Sequence, residues 1–460
     1  MKNYKLLVIG LLLAEVSYGQ TDSLTSYLET AARNNPSVQQ QWSAYQAALQ
    51  KVPQVGSLPD PELNLGIFLK PMELLGGNQV ADVQLMQMFP WFGVLKNAKD
   101  EMSLMAKASL ASVQEAKLQV FYDVRTTWYA LYQNQAQRRI TQQNVDLLRQ
   151  LQRLATSRYR SGSSGSNATP STGSAPMPAK VESSGGGMSS MSGGSSAPTP
   201  TATPMAAPTM SGSSASGLEG IYALQLEEQE LVSNLATLND AFQNLQFKFN
   251  TLLNRPTDSP VTLPDTGFRD AFQPPSDTAL KSNPMLEMIR FERASLEAKR
   301  LMAERMGYPM LGIGLKYALL SKNPASSSMM NGQDMLMPMV SVSLPIYRKK
   351  YKAVQQEIEW KKTASEQSYE AMLNVMRTDY QDALFNYRDA LRRLQLYESQ
   401  RSLLEKTQQL QLKRFAASTS SLAEGLSVSR QLLDVSLKSL NASIDLLKAQ
   451  AKIRQLTCMD

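Results

Sequence analysis

Two stretches of this chain, residues 94–160 and 349–416, contain neither Gly nor Pro and are rich in Ala, Gln, Leu, Lys and Arg. These are strong helix formers with nothing among them to break the backbone ladder. Each stretch therefore predicts one unbroken helix of roughly 100 Å, at about 1.5 Å per residue. No compact globule accommodates such helices. The chain's 460 residues also exceed the roughly 250–300 at which a single hydrophobic core stops growing. An elongated, mainly helical molecule is expected.

The two stretches belong to a tandem duplication. Asn35-Pro36 recurs as Asn283-Pro284, and Pro61 with Gly66 recurs as Pro309 with Gly314, all at one fixed offset. Phe89-Pro90-Trp91-Phe92 is answered by Leu344-Pro345-Ile346-Tyr347, and Arg158-Tyr159 by Arg414-Phe415. Beyond those landmarks the offset collapses, because residues 161–217 have no counterpart in the second half. That insert is almost entirely Ser, Gly, Pro, Thr, Ala and Met, with Lys180 and Glu182 as its only charges. It cannot bury a core and is expected to be disordered. The expected organisation is an export signal at 1–19, a first repeat at 20–254, a linker at 255–274 and a second repeat at 275–460.

Lys2 and Lys5 precede the apolar run Leu6 to Leu13, and the small residues Ser17 and Gly19 stand just before Gln20, where cleavage is expected. No Cys lies near that point to accept a lipid. No later run of about 18 apolar residues exists, so an exported chain of this kind is soluble or a membrane β-protein. With no His and a single Cys, Cys458, the chain has no Ser-His-Asp triad, no His-ligated metal and no intrachain disulfide. The net charge of +7 is spread along helical patterns without an aromatic-interleaved basic run, which argues against a nucleic-acid partner. No cofactor is implied.

Each repeat reads as helix, strand, strand, very long helix, tip, shorter helix. Leu231, Leu235, Leu238, Phe242, Leu245, Phe249 and Leu252 follow the alternating four-three spacing of a coiled-coil seam, and so do Leu433, Leu437, Leu440, Ile444, Leu447 and Ala451. Short helices at 23–51 and 218–254 together match the length of one long helix, as do those at 276–306 and 420–456. This predicts a wall in which two short helices stack end to end beside each continuous one. Leu63, Leu65, Ile67 and Leu69 alternate with other residues at period two, as do Leu311, Ile313, Leu315 and Tyr317. The return strands carry Val83 and Leu85, then Val340, Val342 and Leu344. Strands of about nine to eleven residues suit a tilted crossing of hydrocarbon. Four strands cannot close a barrel and open edges are not tolerated in lipid, so a membrane reading requires a barrel shared between subunits.

Taken together, the duplicated Asn-Pro landmarks, Pro59-Asp60-Pro61, Phe89-Pro90-Trp91-Phe92-Gly93 and Arg158-Tyr159 resemble the TolC family of bacterial outer-membrane efflux factors, the Phe89 to Gly93 motif looking most like its heavy-metal branch. The resemblance implies a mainly α fold with a membrane β-barrel portion. Long helical hairpins would form a periplasmic tunnel, and four strands per chain would contribute to a twelve-stranded barrel shared by a homotrimer. It also implies a passive exit duct in the outer membrane, in contact with its lipid, and partnered by a periplasmic adaptor and an inner-membrane pump. The duct would conduct metal cations such as copper or silver, drugs, or secreted protein. The other function class in play is a secreted structural coiled-coil protein, which would leave the paired hairpins and duplication landmarks unexplained.

Glu227-Glu228 and Asp379-Asp382 are the acidic pairs available for acid-base work, and on long helices such charges are normally solvated faces or tunnel lining. Arg158-Tyr159 and Arg414-Phe415 read as aromatic-cation packing at helix ends. The resemblance gives them a second reading, docking of the adaptor and closure of the periplasmic entrance, shared with Leu218, Leu422 and Glu424. Phe89, Pro90, Trp91, Phe92 and Pro345 mark the barrel-to-tunnel junctions, where Pro ends the ladder and Trp suits a membrane-water interface. Thioethers are soft ligands. Met177, Met188, Met191, Met205 and Met210 in the insert are candidates for weak contact with soft metal, and Met329, Met330, Met335, Met337 and Met339 form a second cluster.

Overall fold

The computed structural model describes residues 24–74, 76–163, 217–264, 272–325, 329, 331–416 and 422–459. The expected signal at 1–19 and all five insert methionines lie outside the described residues. The described residues fall into two compact units, those within 1–137, 238–400 and 436–460 in one and those within 138–237 and 401–435 in the other.

In chain order the elements are α1 (Leu24–Asn34), α2 (Pro36–Gly56), β1 (Glu62–Leu74), β2 (Gly77–Phe89), α3 (Val94–Ser163) and α4 (Gly217–Leu252). The second half follows with a 3-10 turn (Asp277–Ser282), α5 (Pro284–Arg305), β3 (Met310–Ser321), β4 (Met335–Ser343), α6 (Arg348–Ala416) and α7 (Leu422–Thr457). The Gly- and Pro-free stretches are continuous, α3 with 70 residues and α6 with 69. Among the described residues no helix is long and apolar enough to cross a membrane.

The first helix of each repeat is not the single element expected at 23–51 or 276–306. Pro36 has no N–H to donate, and Asn35 turns extended (φ −65°, ψ 126°), so α1 ends and α2 starts afresh. Asn283 does the same (φ −67°, ψ 133°) between the 3-10 turn and α5. Each Asn side chain accepts from the backbone N–H two residues on, that of Ser37 or Met285, at 2.9 Å. Both are N-caps in the strict sense.

The larger unit holds one antiparallel sheet of order β1-β2-β3-β4, in which the central pairing, β2 with β3, joins the two repeats. β1 and β2 run longer than expected, at 13 residues each, because Gly77 and Asn78 belong to β2 rather than to the loop. The extension costs a register shift between Ile67 and Met72, with Pro71 placed on an edge strand where its missing N–H is tolerated.

The principal core of this unit packs Trp128, Leu131 and Tyr132 of α3 against Phe249 and Leu253 at the end of α4 and Ile444, Leu447 and Ala451 of α7. Tyr27 of α1 meets Phe249 edge to face at 5.1 Å. The predicted seams are thus the buried faces. In the smaller unit Val145, Leu148 and Leu151 of α3 pack with Leu224 and Leu231 of α4 and Leu426 of α7.

Candidate functional site

Three places are built from the residues singled out above: the two faces of the sheet, the strand-to-helix junction and the helix tips. The register fixes the faces. Leu63, Leu85 and Leu315 stand in one cross-strand row, Leu65, Val83, Tyr317 and Leu336 in the next, and Ile313 with Val340 in another. This face is apolar and open, with Leu65 69% and Ile313 62% exposed. Its reverse carries Asn64, Gln84 and Lys316 in one row and Gly66 with Asp82 in the next. Lys316 Nζ lies 3.2 Å from the Asp82 carboxylate. Gly66 makes room for that carboxylate, since a Cβ there would stand 2.4 Å from Asp82 Oδ1.

At the junction β2 ends on Phe89, Pro90 follows, and Gly93 takes φ 91°, a left-handed turn that glycine makes at no steric cost. Trp91 stacks on Tyr308, with ring centres 5.5 Å apart and planes 12° from parallel, and the Arg305 guanidinium lies over the far ring at 5.8 Å. Tyr308 and Arg305 were missed in the sequence, where only Tyr308's position before Pro309 hinted at them. Phe92 is 84% exposed. Pro345 lies between β4 and α6, with Leu344, Ile346 and Tyr347 around it exposed.

At the tips Arg158 and Tyr159 fall in the last turns of α3, Arg414 and Phe415 in the last turn of α6, and Leu218, Leu422 and Glu424 in the first turns of α4 and α7. Cations at helix C-termini and acids at N-termini complement the helix dipoles, and Lys413 and Arg414 against Glu219 and Glu424 follow that rule. Phe415 is buried with Ala155 and Ile221, whereas Arg414 and Glu424 are exposed. The acidic pair nearby is used in ion pairs between helices: Glu228 accepts from Arg149 at 2.7 Å and Glu227 from Arg430. Asp379 and Asp382 line an open groove that also holds Arg393, Lys448 and Lys452. Among the described residues no group of His, Cys, Asp and Glu is arranged to hold a metal ion.

A further site is the end-to-end junction of the short helices. α4 and α7 finish alike, with a left-handed residue after the last turn, Asn254 (φ 50°) or Cys458 (φ 56°). The next N–H then reaches back, Arg255 to the Asn250 carbonyl and Met459 to the Arg454 carbonyl. Of the last carbonyls, which have no intrahelical donor, that of Leu252 accepts from Asn35 Nδ2 at 2.8 Å and that of Leu456 from Asn283 Nδ2 at 3.0 Å. One amide thus caps the start of α2 or α5 and clasps it to the end of α4 or α7. Both Asn are buried, 6% and 2% exposed.

A family model described as outer membrane efflux protein matches residues 27–169 and 276–458. No curated protein matches the sequence. Among solved structures the chain is similar to CusC, at 13% identity and a TM-score of 0.69, covering 95% of this chain and 92% of that one. It is also similar to VceC from Vibrio cholerae, at 12% identity and a TM-score of 0.68, covering 94% and 95%. MtrE from Neisseria gonorrhoeae, described as an outer membrane channel in its open state, matches at 15% identity and a TM-score of 0.64, covering 94% and 88%.

Proposed function

Because the chain belongs to the outer membrane efflux protein family, we propose that it is the exit duct of a tripartite efflux system, a passive channel fed by an inner-membrane pump through a periplasmic adaptor. The observation that carries this reading is the sheet. Its apolar face is exposed and both edge strands, β1 and β4, pair on one side only. A sheet of that kind is stable in lipid only when copies of the chain pair edge to edge and close a barrel. Three copies would supply twelve strands. The helices agree, since Leu396, Leu403 and Leu410 of α6 recur at heptad spacing and are all exposed.

In this reading the chain comprises two repeats, 20–254 and 275–460, joined by 255–274. Phe89, Pro90, Trp91, Phe92 and Pro345 lie where barrel passes into helical tunnel, with Trp91 at the interface. Arg158, Tyr159, Leu218, Arg414, Leu422 and Glu424 form the surface that the adaptor docks on and that closes the entrance, with Phe415 packed beneath it. The Phe89 to Gly93 motif, which resembles that of the heavy-metal branch, favours metal cations as cargo.

Two measurements test this reading. Protein purified from outer membranes should conduct ions in a planar bilayer. With Cys458 replaced by Ser, the pair Ile67→Cys and Val340→Cys, the counterparts of the paired Leu315 and Leu85, places one thiol on each edge strand, and oxidation should give a covalent ladder ending at three chains. A preparation that neither conducts nor cross-links beyond one chain would overturn it.

A further inference from the structure

Met is distributed unevenly over the sheet. On β2, β3 and β4 the methionines are Met86, Met88, Met310, Met335, Met337 and Met339, and the register puts all six on one face. Met86 shares a row with Glu62, Gly314 and Met339, Met88 with Gly312 and Ser341, and Met337 with Lys316, Gln84 and Asn64. The other face of these strands uses mainly Leu, Ile, Val and Tyr, with Ala81, Phe89, Pro338 and the polar Gln87. A residue serving only as an adaptable apolar filler has no reason to avoid the apolar face and gather beside Asn64, Gln84, Ser341 and an ion pair.

The glycines on this face explain how the thioethers come together. A Cβ at Gly312 would stand 2.7 Å from Met88 Sδ and 3.5 Å from Met86 Sδ, so both sulfurs occupy the space this glycine leaves empty. Neither sulfur can be farther from the other than those two distances combined, about 6 Å, so a small side-chain adjustment brings them within about 4.6 Å, the most that one ion bonded to both at about 2.3 Å can span. At Gly314 a Cβ would stand 3.3 Å from Met86 Cε. Met86 and Met339 flank that glycine from its two neighbouring strands, about 10 Å apart across two strand spacings, a gap two Met side chains can bridge. Met86, Met88 and Met339 are each half-buried. Of the charged residues described in these rows, Lys316 is neutralised by Asp82, and the exposed Glu62 stands across from Met86 on the edge strand.

We propose that Met86 and Met88, converging over Gly312, form with Met339 a thioether site for a soft monovalent cation, Cu(I) or Ag(I). Uncharged, polarisable sulfur selects such ions over Na⁺, Mg²⁺ or Ca²⁺, and an all-thioether site carries no charge to trap them. Calling this face the lumen, and the cation cargo, rests on the exit-duct reading; the site itself does not.

The test is a titration of the full chain in detergent with silver nitrate in chloride-free buffer, followed by calorimetry and by the methyl signals of ¹³C-methyl methionine. Single Met→Leu variants, which nearly conserve volume, assign the signals. The first equivalent of Ag(I) per chain should shift the methyls of Met86, Met88 and Met339 together, and M86L/M88L/M339L should lose at least tenfold in affinity for it. Unchanged binding by the triple variant, or a first equivalent that shifts only other methionines, overturns the proposal. If the triple variant does not fold, the wild-type methyl shifts decide alone. Planar-bilayer conductance of the same preparation separates the two readings: a pore without the shifts leaves the duct and removes the site, whereas the shifts without a pore do the reverse.

Discussion

Replacing Asn283 by Ala removes two interactions at once. The first turn of α5 loses its cap, worth about 1 kcal/mol. The Leu456 carbonyl loses the amide 3.0 Å away in a site where Asn283 is 2% exposed, and a buried acceptor left unpaired costs about 1–3 kcal/mol. The expected loss is therefore about 2–4 kcal/mol per chain, concentrated where α7 meets α5. Ser separates the two contributions, since its hydroxyl caps as well as Asn but is too short to reach Leu456. Asn283→Ser should lose only the clasp, about 1–3 kcal/mol. Native-state hydrogen exchange reads this locally through the amides of the first full turn of α5. At about 1.4 kcal/mol per factor of ten, Asn283→Ala should lower their protection roughly 30- to 1000-fold, provided those amides exchange by local opening. Asn35→Ala should act likewise on α2, more weakly because Asn35 is less buried. Protection within threefold of wild type in Asn283→Ala would refute the clasp. Equal losses in the Ala and Ser variants would show that the cap contributes nothing.

Three further predictions follow from the sheet and the helices. Leu65→Asp puts a charge on the apolar face, costing less than the roughly 2–4 kcal/mol of an Arg or Lys at mid-membrane, while Asn64→Asp on the reverse face should be milder still; equal defects in assembly, read on unheated gels, would reject the register. Burial raises the Glu115 carboxyl above its usual range, the Lys452 charge opposing it only in part, and Glu115 Oε2 has no partner among the described residues. A raised carboxyl stabilises the fold at low pH and loses that contribution as pH rises through the folded pKa, so Glu115→Gln should raise the melting midpoint at pH 7 and not at pH 4. Glu297 is the reverse case: hydrogen bonds from Arg300 and Lys362 lower it to about 2. Its contribution is present above the unfolded value near 4.5 and fades as pH falls toward about 2. Because the carboxylate is 40% exposed, Glu297→Gln should cost less than about 1 kcal/mol at pH 7, with the difference vanishing in acid melts.

Local physics made the helices and strands legible. Absence of Gly and Pro over 94–160 and 349–416 foretold α3 and α6, and period-two alternation foretold the strands with their faces. The break at Asn35 was written in the sequence too, as an N-cap residue followed by Pro at the first helical position. The apolar pattern on either side hid it, because α1 and α2 both present buried faces, as Tyr27, Leu28, Ala31 and Val38 show. What the sequence could not supply was pairing at a distance. Asn35 meets Leu252, Trp91 meets Tyr308, and Met86 lies opposite Gly314. Each contact depends on how separate elements align, and no local propensity encodes that.

These distant pairings sort by direction. Along the helices, each clasp closes within its own repeat: Asn35 with Leu252 in the first, Asn283 with Leu456 in the second. Sideways, contacts run within each repeat, as β1 with β2 and α3 with α4, and also between repeats. β2 pairs with β3, α7 lays Ile444 and Leu447 against the α3 core, and Gln133 of α3 donates to Asn441 of α7 at 2.8 Å. Lengthwise the repeats are complete, while laterally each needs a neighbour, and within one chain only one side of each repeat is served. β1 and β4 are left as the unserved sides. Duplication would thus supply the means of the proposed oligomerisation, because the β1 edge of the next copy can meet β4 as β3 meets β2. The proposed barrel would then close by repeating a lateral pairing the chain already makes within itself.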